Sequence, residues 1–236
     1  MGDTNQGLRY IRASTNRPNV EYMVEVSDDS LLEERVVECM QSVRKGFEAG
    51  QRAVVFCRSR SICERLAEKL GCHLYHRTFE AKEESLDSWI DGSERVMIAT
   101  SALGTGVDID GIRLVVHLNR PHGVMDCVQE VRRAGRSGDA IRSHVLLGRR
   151  ESKWLQSNGA YEREWNREGL RLFLIERQCR RLRLSAIMDG ESVSCGDAGG
   201  RPCDLCQDSS RSKADAVTET RPSRAEEQEK RYAVRP

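Results

Sequence analysis

The 236-residue sequence lacks the features of a membrane or secreted protein. No apolar run approaches the roughly 20 residues that a membrane-spanning helix needs, and the first residues contain no apolar stretch typical of a secretory signal. The nine cysteines show no disulfide-rich spacing, and several of them stand in apolar segments. Such cysteines are typical of a reducing compartment, so we expect an intracellular protein with no membrane partner, nuclear if the organism is eukaryotic.

The sequence also lacks the residues that usually hold a nucleoside triphosphate. In the P-loop pattern G-x-x-x-x-G-K-[ST], backbone amides and the lysine bind the phosphates. The nearest spacing runs from Gly2 to Gly7, but Leu8 stands in place of the lysine, and neither Gly-Lys nor D-E-x-H occurs anywhere. We therefore expect no complete nucleotide site within these residues alone.

Clustered arginine is what the sequence does contain. The net charge is only +1, yet arginines crowd the stretches 132–150 and 177–183. The planar guanidinium suits phosphate better than an ammonium group does, so these clusters favour phosphate recognition, with a solvated basic face as the alternative. In "QEVRRAGRSG" (129–138), Arg133 and Arg136 are spaced to project from one side of a helix end. Such a pair would grip the phosphates of a nucleotide held by another surface.

Short apolar runs alternate with amphipathic segments from residue 20 to residue 148. The predicted strands are 20–26, 53–57, 73–76, 95–100, 113–118 and 143–148, and the predicted helices are 30–50, 61–71, 80–92 and 123–134. This alternation predicts an α/β fold with a doubly wound parallel sheet, in which ligands bind at the carboxyl ends of the strands. The loops expected to carry function follow Cys57, Thr100, Leu118 and the helix that ends near Gly135.

Two helix starts are predicted from capping boxes. Ser30 is followed by Glu33, and Ser61 is followed by Glu64, with the spacing that lets each pair satisfy free backbone amides.

The loop "ATSALGTGVDID" (99–110) combines small residues with hydroxyls and carboxylates. Small residues let the backbone approach phosphates closely, and the hydroxyls of Thr100 and Ser101 can donate to them. Asp108 is a candidate acceptor for a ribose hydroxyl. An ordinary glycine-rich turn is the alternative interpretation.

Four cysteines near the C-terminal end are candidates for a metal site. Cys179, Cys195, Cys203 and Cys206 are separated by 15, 7 and 2 residues, and four thiolates satisfy tetrahedral Zn²⁺. Because the segment has too few apolar residues to form a core, bound metal would supply its folding energy. A redox-active C-x-x-C pair or free surface thiols are the alternatives.

Three ordered motifs resemble those of superfamily 2 helicases. "VVFCRSRSICERLAEKL", "VMIATSALGTGVDIDGIRLVVHLNRP" and "QEVRRAGRSG" are similar to motifs IV, V and VI, and the detail is similar to the RecQ family of DNA helicases. In that family "RPN…Y" precedes this lobe, as "RPNVEY" (17–22) does here, and a cysteine zinc subdomain follows it. The resemblance covers residues 15–206. It implies a RecA-like second motor lobe of an ATP-dependent, 3′ to 5′ DNA helicase.

The resemblance also implies residue roles. Arg133 and Arg136 match the motif VI arginines, which act catalytically on ATP, with Arg136 reaching the γ-phosphate. The implied ATP-binding residues are Gln129, Arg133, Arg136, Gly106 and Asp108, the implied nucleic-acid-binding residues are Arg58, Ser59, Thr100 and Ser101, and the implied zinc ligands are Cys179, Cys195, Cys203 and Cys206. The implied partners are DNA, single-stranded or unwinding, and a P-loop-bearing first lobe that would bind ATP with Mg²⁺.

The sequence departs from the family pattern at motif VI. Arg132 stands where the family usually has glycine, which puts backbone freedom or close approach in question, and Ser137 stands where aspartate is frequent. A non-catalytic nucleic-acid-binding or regulatory remnant of such a helicase is therefore the alternative, and an RNA helicase lobe is a further one.

We predict four segments. Residues 1–30 would be a linker and the end of an absent first lobe, 31–150 the RecA-like lobe, 151–206 a small helical zinc-binding subdomain, and 207–236 a disordered tail. With that lobe absent, we expect the chain alone to be inactive as an ATPase.

Overall fold

Six parallel strands form the sheet in this computed structural model, which describes residues 14–104, 109–157 and 164–210. The strand order is β1-β6-β5-β2-β4-β3. The strands are β1 (Val20–Ser27), β2 (Arg52–Cys57), β3 (His73–Tyr75), β4 (Val96–Ala99), β5 (Ile112–Leu118) and β6 (Ile141–Gly148). Every neighbouring pair runs parallel, so the predicted parallel α/β fold is confirmed.

Helices connect the strands and extend beyond the last one. They are α1 (Leu32–Gly46), α2 (Arg60–Leu70), α3 (Lys82–Asp91), α4 (Val124–Val131), α5 (Arg149–Ser157), α6 (Trp165–Ile175) and α7 (Arg180–Asp189), with one 3-10 turn at Ser101–Gly104. Within the described ranges, no helix is both long enough and apolar enough to span a membrane.

The sheet is covered on both faces, as a doubly wound fold requires. Side chains of β2 alternate between two apolar clusters, with Ala53 and Val55 in one and Val54 and Phe56 in the other. The first cluster is completed by α1 and α2, and the second by α3, α4, α6 and α7. Because β2 contributes to both clusters, its apolar run is continuous rather than alternating.

The cysteine segment shares the second cluster with the sheet. Phe173 of α6, Leu184 of α7 and the buried Cys203 pack in the cluster that also holds Val124 of α4. The described parts of this segment, residues 151–157 and 164–206, therefore lie directly on the lobe instead of forming a separate core.

Both ends of the described chain add to this body. β1, within the segment 1–30, pairs with β6 over its whole length, so that part of the segment belongs to the sheet. Residues 204–210 are helical, which extends ordered structure four residues beyond the predicted start of the tail. Residues 211–236, the rest of that predicted tail, lie outside the described residues.

Neither predicted capping box forms. Helix α1 begins after Leu31 with no side-chain cap, and α2 begins after Ser59 instead of Ser61. Ser59 has an extended backbone, and its Oγ accepts a hydrogen bond from the backbone N–H of Ile62 at 3.3 Å. The prediction was wrong here because Ser59 and Ser61 both fit the cap pattern, and the end of β2 decides which serine is extended.

Candidate functional site

Polar residues follow the carboxyl ends of β2 and β4. Arg58 and Ser59 come directly after β2, while Thr100 and Ser101 come directly after β4, which pairs with β2 in the sheet. Arg58 and Ser101 are exposed, whereas Ser59 caps α2 and the Thr100 backbone bonds to the Tyr75 carbonyl at 3.1 Å. The four predicted nucleic-acid-binding residues thus lie at one edge of the sheet, with Arg58 and Ser101 open to solvent.

The structure adds a second arginine to this edge. Arg120 follows β5, and its Nε donates to Glu151 Oε1 at 2.8 Å, while the Arg58 guanidinium lies 3.6 Å from the same oxygen. The Arg120 guanidinium also lies 4.9 Å from the centre of the Trp154 ring. Sequence reasoning missed Arg120, although its place two residues after the end of β5 was the available signal.

The arginine pair lies elsewhere. Helix α4 returns from the end of β5 towards the start of β6, so the turn that follows Arg133 lies beside the amino-terminal ends of β1 and β6, while Arg133 lines a small cavity with Leu103 and Ile109. The expectation that this helix end shares the carboxyl edge with the strand-end loops was wrong. The reason is geometric: the helix runs back along the sheet between two parallel strands.

Residues before β1 fix the backbone that carries the pair. The Arg17 guanidinium donates to the carbonyls of Ala134 and Gly135, both at 2.7 Å, and to that of Val131 at 3.2 Å. The Asn19 amide donates to the carbonyls of Gly135 and Asp139 at 3.1 and 2.7 Å. The motif "RPN" was recognised in the sequence, but the sequence did not predict that Arg17 and Asn19 hold this turn.

Positive charges gather at this turn. Burial lowers the pKa of Arg17, and the charges of Arg132 and Arg136 lower it further. Burial likewise lowers the pKa of the half-buried Arg133, and the charge of Arg136 adds to that effect. Side chains that disfavour one another's charge in this way create a local positive potential, which favours binding of an anion such as phosphate.

Arg132 fits its position without strain. Its φ of −64° and ψ of −13° are ordinary right-handed helical values, and its side chain is exposed. The glycine that the family usually has here is therefore not required by the backbone of this chain. Gly135, by contrast, has a φ of +59° and does need the conformational freedom of glycine.

A buried hydrogen bond fixes the face of α4 next to Gln129, which is itself exposed on that helix. Glu130 Oε2 lies 2.9 Å from His117 Nε2, and both side chains are almost fully buried. The His117 ring stacks on Phe56 with centroids 5.6 Å apart. Glu130 thereby links motif VI to the centre of the sheet. Of the other predicted ATP-binding residues, Gly106 and Asp108 lie outside the described residues.

The four cysteines meet in one cluster. The Sγ atoms of Cys179, Cys195, Cys203 and Cys206 all lie within 4.8 Å of one another, the only such ligand group among the residues described. Backbone amides point at the sulfurs: the Cys195 N–H lies 3.3 Å from Cys179 Sγ, and the Arg180 N–H lies 3.4 Å from Cys203 Sγ. Burial acts to raise the pKa of Cys179, but hydrogen bonds with the Leu182 and Cys195 backbones and with the Cys195 and Cys206 thiols outweigh it and lower that pKa. In contrast, burial raises the pKa of Cys195 and Cys206.

This geometry fits a tetrahedral metal. Sulfurs bound to one zinc at about 2.3 Å stand about 3.8 Å apart, and the Cys179 and Cys195 sulfurs are 3.5 Å apart. The backbone amide of Cys195 directed at the Cys179 sulfur favours the Cys179 thiolate, which is the ligand form. A redox pair is less well matched, because all four sulfurs converge.

Comparisons with known proteins agree with the fold and the motifs. Residues 34–138 match the family described as Helicase conserved C-terminal domain. A Caenorhabditis elegans protein that carries the name of ATP-dependent DNA helicase Q1 is 34% identical over 140 residues, which are 56% of this chain and 22% of that protein. The ATP-dependent DNA helicase Q1 of Mus musculus is 31% identical over 142 residues, covering 57% of this chain and 21% of that protein. The chain thus spans about a fifth of both relatives.

A solved structure shows the same fold at low identity. Saccharomyces cerevisiae Dbp5 bound to RNA and ADP BeF3 superposes with a TM-score of 0.54 at 15% identity, over 64% of this chain and 42% of that one. Residues 34–138 are therefore similar to a helicase C-terminal domain, on an α/β fold shared with the Dbp5 structure, and proteins similar to this chain at modest identity include those named ATP-dependent DNA helicase Q1.

Proposed function

We propose that this chain is the second motor lobe of a RecQ-like, ATP-dependent 3′ to 5′ DNA helicase. The observation that carries the proposal is the geometry of residues 132–141, which we call the arginine turn. Arg133 and Arg136 lie on a backbone that Arg17 and Asn19 hold by hydrogen bonds to four carbonyls. A rigid, electropositive turn in a helicase C-terminal domain suits transition-state stabilisation, because its charges need no rearrangement during the reaction.

In this proposal the nucleotide is presented by a P-loop-bearing first lobe, on the same polypeptide or on another. That lobe would bind ATP with Mg²⁺, and closure of the two lobes would bring Arg136 to the γ-phosphate and Arg133 beside it, with Gln129, Gly106 and Asp108 near the nucleotide. Arginines in this position contribute about 10³- to 10⁵-fold in rate. This corresponds to about 4–7 kcal/mol of the barrier.

The carboxyl edge would form part of the single-strand track. Arg58, Ser59, Thr100 and Ser101 offer charge and hydroxyl donors to a phosphate backbone, contacts that position a strand without reading its sequence. Arg120 supplies a further cation at the same edge. The arginine turn lies at the far end of α4 from this edge. Closure of the two lobes on ATP at the arginine turn would therefore also move the carboxyl edge relative to the first lobe.

We assign the cysteine cluster to Zn²⁺, with Cys179, Cys195, Cys203 and Cys206 as ligands. The metal would supply folding energy to the segment 179–206. The convergence of the four sulfurs is the support for this assignment. It also favours DNA over RNA as substrate, because the family resemblance links such a cluster to DNA helicases.

Reconstitution tests the proposal. The chain is mixed with a separately expressed P-loop lobe of a Q1-type helicase, and ATP hydrolysis is followed with single-stranded DNA, with RNA of the same sequence, and without nucleic acid. We expect no hydrolysis by the chain alone and at least about tenfold more by the mixture with DNA than by the first lobe alone.

The alternative function, a non-catalytic nucleic-acid-binding or regulatory module, predicts a different result. The chain would bind single-stranded DNA, but the mixture would hydrolyse ATP no faster than the first lobe does. Equal stimulation by RNA would leave the motor role in place and remove the preference for DNA.

A further inference from the structure

Arg181 is a buried cation whose surroundings connect two distant parts of the molecule. It lies on α7, two residues after Cys179, and its side chain is 1% exposed. A buried guanidinium is costly unless its N–H groups are bonded. Its partners therefore show what this position is built to hold.

The partners belong mainly to the segment before β1. The Arg181 guanidinium donates to Asn16 Oδ1 at 2.7 Å, to the Arg17 carbonyl at 2.6 Å and to the Val20 carbonyl at 2.7 Å. It also lies 5.5 Å from the centre of the Tyr22 ring. One side chain thus fixes the backbone on both sides of residues 18 and 19.

The other side of the guanidinium faces the cysteine cluster. A Cβ on Gly200 would lie 3.0 Å from Arg181 Cζ, so the loop between Cys195 and Cys203 passes directly against it. The Arg181 guanidinium also donates to the Arg201 carbonyl in this loop at 3.4 Å. The same loop also binds the segment before β1 directly, because the Arg201 N–H donates to the Pro18 carbonyl at 2.9 Å.

The end of α7 holds the same segment. Asp189 accepts hydrogen bonds from the Thr15 backbone at 2.9 Å and from the Ser14 hydroxyl at 3.0 Å. Residues 14–20 are therefore held along α7 at both ends, between the cysteine cluster and the arginine turn that Arg17 and Asn19 bind.

We propose that Arg181 is a positioning residue that couples the metal-loaded cysteine cluster to the arginine turn through residues 16–20. This inference rests on the proposed function in one respect: the coupling would align Arg133 and Arg136 for ATP hydrolysis. The structural part concerns this chain alone. When the cluster or Arg181 is altered, the segment before β1 loses its anchor, and the turn at residues 132–141 loosens.

Hydrogen exchange of the zinc-loaded chain tests the coupling without ATP or DNA. Arg181→Met keeps an unbranched, though shorter, side chain and removes every donor. Arg17→Lys keeps the charge, breaks the fork to the three carbonyls and leaves α7 untouched. Both variants should exchange amides in 132–141 at least about tenfold faster than wild type, while β2 and β5 keep their protection. Chelation of the wild-type metal should produce the same local change.

Two outcomes of hydrogen exchange would contradict the coupling. If Arg181→Met loses protection throughout the sheet, that variant is unfolded and Arg17→Lys becomes the test of the coupling. Unchanged exchange of residues 132–141 in Arg17→Lys would then contradict the proposal. Unchanged exchange after chelation removes the cysteine cluster from the pathway. Neither result depends on ATP hydrolysis, so failure of the motor proposal is distinguishable from failure of this one.

Discussion

Gly135 is the residue on which the arginine turn most depends. Its φ of +59° lies in the left-handed region, and a Cβ would lie 2.6 Å from Ile141 Cγ2 and 2.7 Å from the Asp139 carbonyl oxygen. Its own carbonyl accepts from both Arg17 and Asn19. The position therefore combines a conformational requirement with a spatial one.

Gly135→Ala should destabilise the chain by about 2–4 kcal/mol, from left-handed strain together with overpacking against neighbours that cannot retreat. Gly138→Ala is the matched control, since Gly138 also has a positive φ, +84°, but nothing lies within 4 Å of its Cβ direction. It should cost about 1–2 kcal/mol from strain alone. Urea unfolding of the two variants measures the difference, and equal costs would contradict the packing argument.

At this scale the sequence indicates which residues carry charge but not what holds them. Arg133 and Arg136 stand out because three arginines crowd one turn. The contacts of Arg17 span more than a hundred residues and end on backbone carbonyls, which have no signature in the sequence. The residue types at positions 131–135 do not indicate that their carbonyls accept hydrogen bonds from a guanidinium far away in the sequence.

Among the elements, the cysteine segment is the one that most needs something beyond packing. Cys195 and Cys203 are buried, but the loop between them consists mainly of small and polar residues and adds little apolar surface. Four thiols held close together without metal would offer one another only weak hydrogen bonds. Metal binding would replace these contacts with strong ones.

Purified without chelator, the chain should hold about one zinc. Cys203→Ser should lose most of that metal, whereas Cys39→Ser, a partly exposed cysteine of α1 outside the cluster, should retain it. Elemental analysis gives the stoichiometry, and hydrogen exchange over 179–206 reports folding after chelation. A metal-free chain in which this segment stays fully protected would rule out a structural metal.

The central strands were predictable because both of their faces are buried, which leaves continuous apolar runs such as 53–57. The first residues of the helices were harder to predict from the sequence. Ser30 and Ser61 match the capping pattern, but a cap forms only where the chain leaves the strand in an extended conformation, as at Ser59. That condition depends on where the sheet ends, which a local pattern does not specify.

Across the whole molecule, the two sets of candidate functional residues lie apart. The strand-end group, Arg58, Ser59, Thr100 and Ser101, occupies the carboxyl edge of the sheet, and the arginine turn lies beside the amino ends of β1 and β6. The buried pair of His117 and Glu130 lines a small cavity at the carboxyl edge with Arg58 and Ser101. The motifs revealed both sets in the sequence, but only the antiparallel return of α4 determines that they are separate.

The central claim is that the arginine turn acts on ATP held by another lobe. Its most direct test is the kcat of the reconstituted, DNA-stimulated ATPase with Arg136→Ala, compared with Arg150→Ala, an α5 arginine whose side chain is 91% exposed. We expect kcat to fall by about 10³-fold or more in Arg136→Ala with little change in KM for ATP, and Arg150→Ala to behave as wild type. A kcat for Arg136→Ala equal to that of Arg150→Ala would contradict the account.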